Sequence, residues 1–199
     1  VRRLCIEANC CLPEDMKNCI SICRQCEPWA PAREILGHII ENYHIAEDRC
    51  QPVCQDTGVA WVFMDVGQDV HVSGSMAEAV NEGVRRGYAE GYLRKSVVGD
   101  PVERVNTGDN TPAAIYWNIV PGDRLSITVA PKGFGSENMS QIKMLKPSDG
   151  IQGIKEFILK VVEDAGPNPC PPIVVGVGIG GTFDQCACIA KKALLRPVD

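Results

Sequence analysis

Apolar residues recur at helical spacing over the first quarter of the chain and then give way to a continuous apolar run. Residues 5–26 and residues 32–46 predict two helices, separated by a proline-containing tract that must break the first one. The apolar face predicted for the second helix comprises Ile35, Leu36, Ile39, Ile40 and Tyr43. The run at residues 59–66 predicts a buried strand, which Gly67 ends.

A third helix follows this strand. Ser75 and Glu78 form a capping box, in which each side chain satisfies a backbone N–H of the first turn. Three glycines of this helix are spaced so that they share a face and permit close packing: Gly83, Gly87 and Gly91. Its predicted apolar face comprises Ala79, Val80, Val84, Tyr88 and Tyr92.

The second half of the chain mixes strands, glycine-containing turns and helices. Residues 113–120 and 125–130 predict two strands joined as a hairpin by a turn at residues 121–123. A short helix is expected to open at Ser136 or Glu137. The remaining elements are a long amphipathic helix at residues 151–161, a strand at residues 173–177 and a helix from Thr182 to about residue 195.

Together these elements predict an α/β (α+β) fold in which N-terminal helices pack with a mixed β-sheet and flanking helices. We expect a single domain over residues 1–199, with a helical lead at residues 1–48. A hydrophobic content of 45% with 23% charged residues is typical of a soluble globular protein. The formal net charge of −5 argues against nucleic acid as a partner, and no apolar run reaches the length of a membrane span.

The chain contains eleven cysteines, which is many for its length. In an oxidising compartment they would indicate a disulfide scaffold, and in a reducing one they indicate metal or cluster chemistry. No signal peptide is visible at the start of the sequence. We therefore expect a cytoplasmic protein of a cell that lives with little oxygen.

The most concentrated polar chemistry lies directly before the first strand, in the stretch Cys54-Gln55-Asp56-Thr57-Gly58. A soft metal ligand, an amide, a carboxylate and a hydroxyl there leave the backbone within one turn, which indicates a site. Cys170 resembles Cys54 in lying beside prolines just ahead of an apolar run. The two loop cysteines could converge on one metal centre, and the alternative is two unpaired buried thiols.

Two other patterns suggest different classes of function. Residues 176–181 satisfy the G-x-G-x-x-G fingerprint of dinucleotide-binding proteins, although a close strand-to-helix junction or a carboxylate cradle would use the same glycines. Four cysteines imitate the paired ligands of a structural zinc module: Cys23, Cys26, Cys50 and Cys54. Against zinc, Cys19, Cys23 and Cys26 share a helical face, where free cysteines usually pack as small apolar residues.

Four ordered motifs carry a resemblance that spans essentially the whole chain: Cys54-Gln55-Asp56-Thr57-Gly58, Asn106-Thr107-Gly108-Asp109-Asn110-Thr111-Pro112-Ala113, Pro131-Lys132-Gly133-Phe134-Gly135-Ser136-Glu137-Asn138 and Asn168-Pro169-Cys170-Pro171-Pro172. The segment from Gly178 to Asp184 agrees with them. The chain resembles the class I, iron–sulfur fumarate hydratase and tartrate dehydratase family. More narrowly, it resembles the α subunit, or N-terminal domain, of the two-subunit forms.

The resemblance implies a hydro-lyase that hydrates fumarate reversibly to (S)-malate in the tricarboxylic acid cycle, or that dehydrates L-tartrate. Cys54 and Cys170 are implied to be two of three cysteine ligands of a [4Fe–4S] cluster, whose open iron acts as a Lewis acid. The implied residues at the small dicarboxylate substrate are Gln55, Asp56, Arg94, Lys132 and Gly135, with Asp56 catalytic. The implied partners are a β subunit and a second α part.

The sequence departs from the family pattern in two places. Phe134 replaces the middle one of three consecutive glycines. The third cluster cysteine lies, in the family, beyond the segment that ends here at Pro197, so we expect the chain to be truncated at its C-terminus. The resemblance also implies that the residues that move the carbon-bound proton belong to the β part. We therefore expect this polypeptide alone to hold no intact cluster and to be inactive.

Overall fold

The most apolar run of the chain forms the central strand of the sheet. In the computed structural model, which describes residues 1–198, this strand is β1 (Val59–Gly67). It lies between β2 (Ala114–Val120), which runs parallel to it, and β3 (Leu125–Lys132), which runs antiparallel. Trp61 is therefore opposite both Ala114 and Ala130. The resulting sheet is mixed, as the sequence predicted.

The predicted hairpin between β2 and β3 is wrong, because β1 lies between the two strands. A strand that is buried along nearly its whole length satisfies its backbone groups best by pairing on both edges. The turn at residues 121–124 instead crosses the end of β1 at Gly67, whose N–H donates to the Arg124 carbonyl at 2.8 Å. A Cβ atom at Gly67 would lie 2.3 Å from the Gly122 carbonyl oxygen, so this crossing requires glycine.

The predicted first helix divides into α1 (Arg2–Cys10) and α2 (Glu14–Cys26). Pro13 separates them because it has no N–H to continue the helical ladder, and it serves as the N-cap of α2. The next helix, α3 (Ala30–Arg49), is longer at both ends than the sequence predicted. It packs on α2 around a small core of buried residues: Ile20, Leu36 and Tyr43. Ile35, which we placed on the apolar face, is 55% exposed.

Helix α4 (Met76–Glu90) begins as predicted, with the Ser75 hydroxyl accepting the Glu78 N–H. Helix α1 packs on the face of α4 that carries Gly83 and Gly87. A Cβ atom at Gly83 would lie 2.7 Å from Val1 Cβ, and one at Gly87 would lie 2.8 Å from Cys5 Cβ. The prediction of close backbone packing is therefore confirmed. Tyr92 does not extend this helix; it follows the C-cap with a φ of 53° and is 91% exposed.

The main core lies between the sheet and these two helices. Its buried members are Cys5, Ala60, Val62, Met64, Val66, Val80, Val84, Tyr88 and Leu93. Helix α1 contacts both α4 and β3, so this N-terminal helix packs with the sheet as expected. The predicted fold class, α/β with a mixed sheet and flanking helices, is confirmed.

Contacts between residues divide the described chain into two compact units. The first comprises Val1–Gly133 together with Val198 and contains all the elements given above. The second, Phe134–Pro197, contains α5 (Phe134–Glu137), a 3-10 helix (Pro147–Asp149), α6 (Gly150–Ala165) and α7 (Phe183–Ala193). Helix α7 has the predicted cap, with the Thr182 N–H donating to Gln185 Oε1 at 3.3 Å.

The strand predicted at residues 173–177 does not form. Gly176 and the following Gly178 instead bring the backbone against α7. A Cβ atom at Gly176 would lie 2.3 Å from the Ala190 carbonyl oxygen, and a Cβ atom at Gly178 would lie 2.3 Å from the Cys186 carbonyl oxygen. The Cys186 thiol also donates to the Gly178 carbonyl at 3.2 Å. These contacts with the helix replace the strand pairing that the apolar pattern predicted.

None of the helices in residues 1–198 is both long and apolar enough to cross a membrane.

The glycine face of α4 gives a stability prediction. Replacing Gly87 with valine should lower the free energy of unfolding by about 1–3 kcal/mol, because the added atoms would overlap Cys5 on α1. Gly99→Val is the matched control, since a Cβ atom there would meet nothing closer than the Val105 carbonyl oxygen at 3.8 Å. Urea unfolding measures both variants. Equal midpoints for the two would show that α1 does not pack on this face.

Candidate functional site

The loop that enters β1 presents polar side chains outward. Cys54 and Gln55 are exposed, and Asp56 is half-buried. The Cys54 sulfur accepts the backbone N–H of Asp56 at 3.4 Å, which orients the thiol within its own turn. An exposed sulfur that receives an amide N–H is suited to act as a thiolate ligand. The loop therefore presents a potential metal ligand, an amide and a carboxylate side by side.

The next two residues of the same loop are buried and fixed by side chains from elsewhere. The Tyr88 hydroxyl donates to the Thr57 carbonyl at 2.9 Å and lies 3.2 Å from that of Gly58. Burial raises the pKa of Tyr88, so the hydroxyl keeps its proton and remains a donor. The Thr57 hydroxyl in turn donates to the Arg94 carbonyl at 2.8 Å. The segment that carries Arg94 is thereby attached to the loop before β1.

The end of β3 lies against the same loop. Gly58 has a φ of +58°, and a Cβ atom there would lie 2.0 Å from the Lys132 carbonyl oxygen. A Cβ atom at Gly133 would lie 2.8 Å from Asp56 Oδ2. The Lys132 ammonium is 5.7 Å from the centre of the Trp61 ring, within the range of a cation–π contact. Lys132 thus belongs to the same part of the first unit as Asp56.

The strand directions explain this convergence. β2 is parallel to β1 and begins at the same end of the sheet, while the antiparallel β3 finishes there, with Lys132 opposite Val59. The loops before β1 and β2 and the residues after β3 must therefore meet at one end of the sheet. The first unit brings together the segments that carry four of the residues implied by the resemblance: Gln55, Asp56, Arg94 and Lys132.

Asn110 is a residue of this region to which the sequence assigned no role. Its side chain is fully buried, with 0% exposure, and its backbone is left-handed with a φ of 63°. The amide oxygen accepts the N–H groups of Ser96 at 2.7 Å and Val97 at 3.1 Å, and the amide nitrogen donates to the Gly58 carbonyl at 3.0 Å. The available signal was the run of turn-forming residues before β2, which is typical of a loop and points to no particular partner.

Gly135 and Cys170 belong to the second unit. Gly135 lies in α5, and a Cβ atom there would lie 3.2 Å from the Asn168 carbonyl oxygen, so it approaches the loop that carries Cys170. Cys170 is exposed and has a left-handed φ of 58°. Phe134, which replaces a glycine of the family pattern, is half-buried at the start of α5. Cys54 and Cys170 are both exposed, so the alternative of two buried thiols is wrong.

All eleven cysteines are free thiols. The expectation that the cysteines of α2 pack in the core is wrong for Cys23 and Cys26, which are exposed. Within residues 1–198, no three or more His, Cys, Asp or Glu side chains form a group that could hold a metal ion. The zinc alternative, which adds Cys50 and Cys54 to the α2 pair, therefore has no assembled site in the described part of the chain.

Comparisons with known proteins agree on one family. The fumarate hydratase (Fumerase) family matches residues 1–199. The putative L(+)-tartrate dehydratase subunit alpha of Methanocaldococcus jannaschii is 46% identical over 199 residues, covering 96% of this chain and 70% of that protein. The L(+)-tartrate dehydratase subunit alpha of Escherichia coli strain UTI89 is 31% identical over 191 residues, covering 94% of this chain and 63% of that protein.

Removing one hydroxyl tests how much the buried hydrogen bonds to the loop before β1 contribute to stability. Tyr88→Phe should lower the free energy of unfolding by about 1–3 kcal/mol, because it leaves the Thr57 carbonyl without this donor. Tyr92→Phe removes the same group from a side chain that is 91% exposed, and it should change stability by less than about 0.5 kcal/mol. Chemical denaturation compares the two, and an equal effect would contradict the hydrogen-bonding role of Tyr88.

Proposed function

The chain belongs to the fumarate hydratase (Fumerase) family, and from that premise we propose that it is the α-type part of an iron–sulfur hydro-lyase acting on a four-carbon dicarboxylate. The proposed reaction is reversible hydration of fumarate to (S)-malate, with residues 1–199 as the catalytic α-type domain. One observation carries the proposal. At one end of the sheet, an exposed cysteine, an amide and a carboxylate lie on one turn, beside the segment that contains Arg94.

Dehydration of L-tartrate is the second candidate. It is favoured by the names of two relatives that are 46% and 31% identical to this chain. Both reactions require recognition of two carboxylates, and tartrate carries one hydroxyl more than malate. A site that selects tartrate would need one more polar partner for that hydroxyl, so relative kcat/KM values distinguish the two candidates.

The donor set on the chain is compatible with a [4Fe–4S] cluster. Cys54 and Cys170 both offer exposed thiols from loops. The hydrogen bond that the Asp56 backbone N–H donates to the Cys54 sulfur suits a thiolate ligand. We propose, as the resemblance implies, that the third cysteine comes from outside these residues; the Cys186 thiol is bonded to the Gly178 carbonyl inside the second unit. When bound by three thiolates, such a cluster supplies an iron with a free coordination position, which acts as a Lewis acid.

The side chains at this end of the sheet would bind and orient the substrate. The Arg94 side chain is exposed and can form a bidentate hydrogen-bonded ion pair with one carboxylate. Lys132 would contribute positive charge, and the Gln55 amide would hydrogen-bond a carboxylate. The resemblance separately implies that Gly135, a residue of the second unit, presents its backbone to the substrate. Asp56, the proposed catalytic residue of this chain, would accept a hydrogen bond from the substrate hydroxyl.

The proposed partners complete the site. A β part would supply the groups that move the carbon-bound proton, and a second α part would form a dimer. We propose a cytoplasmic enzyme, which would serve the tricarboxylic acid cycle if its substrate is fumarate. The isolated chain would then have neither an intact cluster nor turnover, and full hydration of fumarate by the chain alone would contradict this proposal.

Cluster formation gives the first functional prediction. We expect Cys54→Ser, co-expressed with the β subunit and reconstituted anaerobically with iron and sulfide, to lose the broad absorption at about 400 nm and all activity. Cys11→Ser changes another exposed thiol and should retain both properties. Activity is measured with fumarate, L-tartrate and mesaconate. Cluster absorption retained in the Cys54 variant would count against its role as a ligand.

Substrate binding gives the second functional prediction. Arg94→Ala should spare the cluster absorption and raise KM roughly 10- to 100-fold, because a charged hydrogen-bonding partner of the substrate is lost. Arg49→Ala removes an exposed arginine from the last turn of α3 and should leave KM unchanged. Steady-state kinetics on the complete enzyme measure both variants. An unchanged KM in the Arg94 variant would remove this residue from the site.

The same preparations address the other two classes of function. A structural zinc module would bind zinc without visible absorption and would need Cys26, so Cys26→Ser would abolish metal binding. A dinucleotide-binding domain would show saturable binding in an NAD titration. The glycines of its fingerprint pack on α7 and follow a segment that is not a strand, which removes the structural context of that motif.

A further inference from the structure

The buried amide of Asn110 joins two segments that carry proposed substrate-binding residues. On one side it accepts the N–H groups of Ser96 and Val97, which lie just after Arg94 in the chain. On the other side it donates to the carbonyl of Gly58, which ends the loop that carries the proposed catalytic residue. All three partners are backbone groups, so the contacts fix the course of the chain itself.

The backbone around Arg94 is consequently held from both directions. Its carbonyl accepts the Thr57 hydroxyl at 2.8 Å. The preceding residue, Leu93, is 4% exposed, and its N–H donates to the Tyr88 carbonyl at 3.0 Å. On the other side, the chain is fixed by the two bonds from residues 96 and 97 to Asn110. The exposed side chain of Arg94 therefore extends from a backbone that has little freedom to shift.

The loop that carries Asn110 is itself anchored to α4. The Asp109 carboxylate accepts the N–H and the hydroxyl of Thr111 at 3.0 and 2.8 Å, and it pairs with Arg85 of α4 at 2.9 Å. These hydrogen bonds, those of Thr111 first, lower the pKa of Asp109 to about 2, so the carboxylate stays charged at neutral pH. Because α4 also carries Tyr88, one helix supports both the Asn110 loop and the loop before β1.

The chemistry of the contacts requires an amide at this position. Aspartate would keep an acceptor for the Ser96 and Val97 N–H groups but would lose the donor to the Gly58 carbonyl. Glycine would tolerate the left-handed φ of 63° and would lose all three bonds. A change at this position can therefore remove the hydrogen bonds without imposing backbone strain.

We propose that Asn110 is a positioning residue, which sets the distance and angle between the Arg94 guanidinium and the Gln55–Asp56 turn so that both can contact one dicarboxylate. The proposal rests on the proposed function. Substrate binding depends on the relative placement of the groups that contact it, and small displacements lower its strength. Loss of Asn110 should therefore weaken binding through Arg94 and leave the thiol of Cys54 able to bind iron.

A double-mutant cycle on the complete enzyme tests this coupling. Asn110→Gly should raise KM for the active dicarboxylate by about 10-fold or more in the wild-type background. In the Arg94→Ala background it should raise KM less than about 3-fold, because the placement of the guanidinium relative to the Gln55–Asp56 turn no longer affects binding once that group is absent. Multiplicative effects of the two changes, or an unchanged KM in Asn110→Gly, would overturn the proposal.

Two further variants separate positioning from folding. Asn110→Asp keeps the acceptor that faces Ser96 and Val97, so its KM should lie between those of the wild type and Asn110→Gly. This variant also serves if the glycine variant does not fold. Asn118→Ala removes an exposed amide of β2 that donates to Asp65, and it should leave KM unchanged. A KM in Asn110→Asp as high as in Asn110→Gly would contradict the role assigned to the acceptor.

Hydrogen exchange distinguishes a failure of this proposal from a failure of the proposed function. The amides of Ser96 and Val97 should exchange at least about 10-fold faster in Asn110→Gly than in the wild type, whether or not the complete enzyme has activity. Absence of dicarboxylate turnover in the wild type would count against the proposed function alone. Unchanged exchange of these two amides would overturn the positioning role.

Discussion

The backbone carbonyls of Thr57 and Gly58 impose the constraint on which the rest of the candidate site depends. They lie at the point where a polar loop enters an almost fully buried strand, so water is excluded and each carbonyl must find a donor within the protein. The Tyr88 hydroxyl and the Asn110 amide supply these donors. Two segments distant in sequence are thereby drawn to the turn of Cys54, and the backbone that carries the polar side chains around it is held in place.

The sheet reinforces this arrangement through its topology. Because β1 is central, β2 can run parallel to it and β3 antiparallel, and the loop before β2 and the last residue of β3 arrive at the start of β1. The glycine at position 58 lets the β3 backbone approach the loop, and the glycines of α4 let α1 pack closely on the helix that carries Tyr88. The exposed chemistry of the loop thus stands on a packed and hydrogen-bonded base, as a binding site requires.

Local signals in the sequence were sufficient for part of this picture. The apolar run before Gly67, the N-cap at Ser75 and the glycine face of α4 are local patterns with direct physical meaning, and the structure confirms them. The order of strands was not predictable in this way, because a turn at Gly122 suits a hairpin and a crossing over β1 equally well. Asn110 was missed for a related reason: its three partners lie 13 to 52 residues away. The family, by contrast, was identified from ordered motifs, and the comparisons confirm it.

The central claim is that one dicarboxylate is bound by segments 54–58, 94–97 and 131–133 of this chain together. Hydrogen–deuterium exchange of the complete enzyme, with and without a saturating dicarboxylate, tests it most directly. We predict that the ligand slows exchange in all three segments at once and leaves α2 (Glu14–Cys26) unchanged. Protection that is absent from these segments, or that falls on the glycine-containing segment 176–181 instead, would contradict the claim.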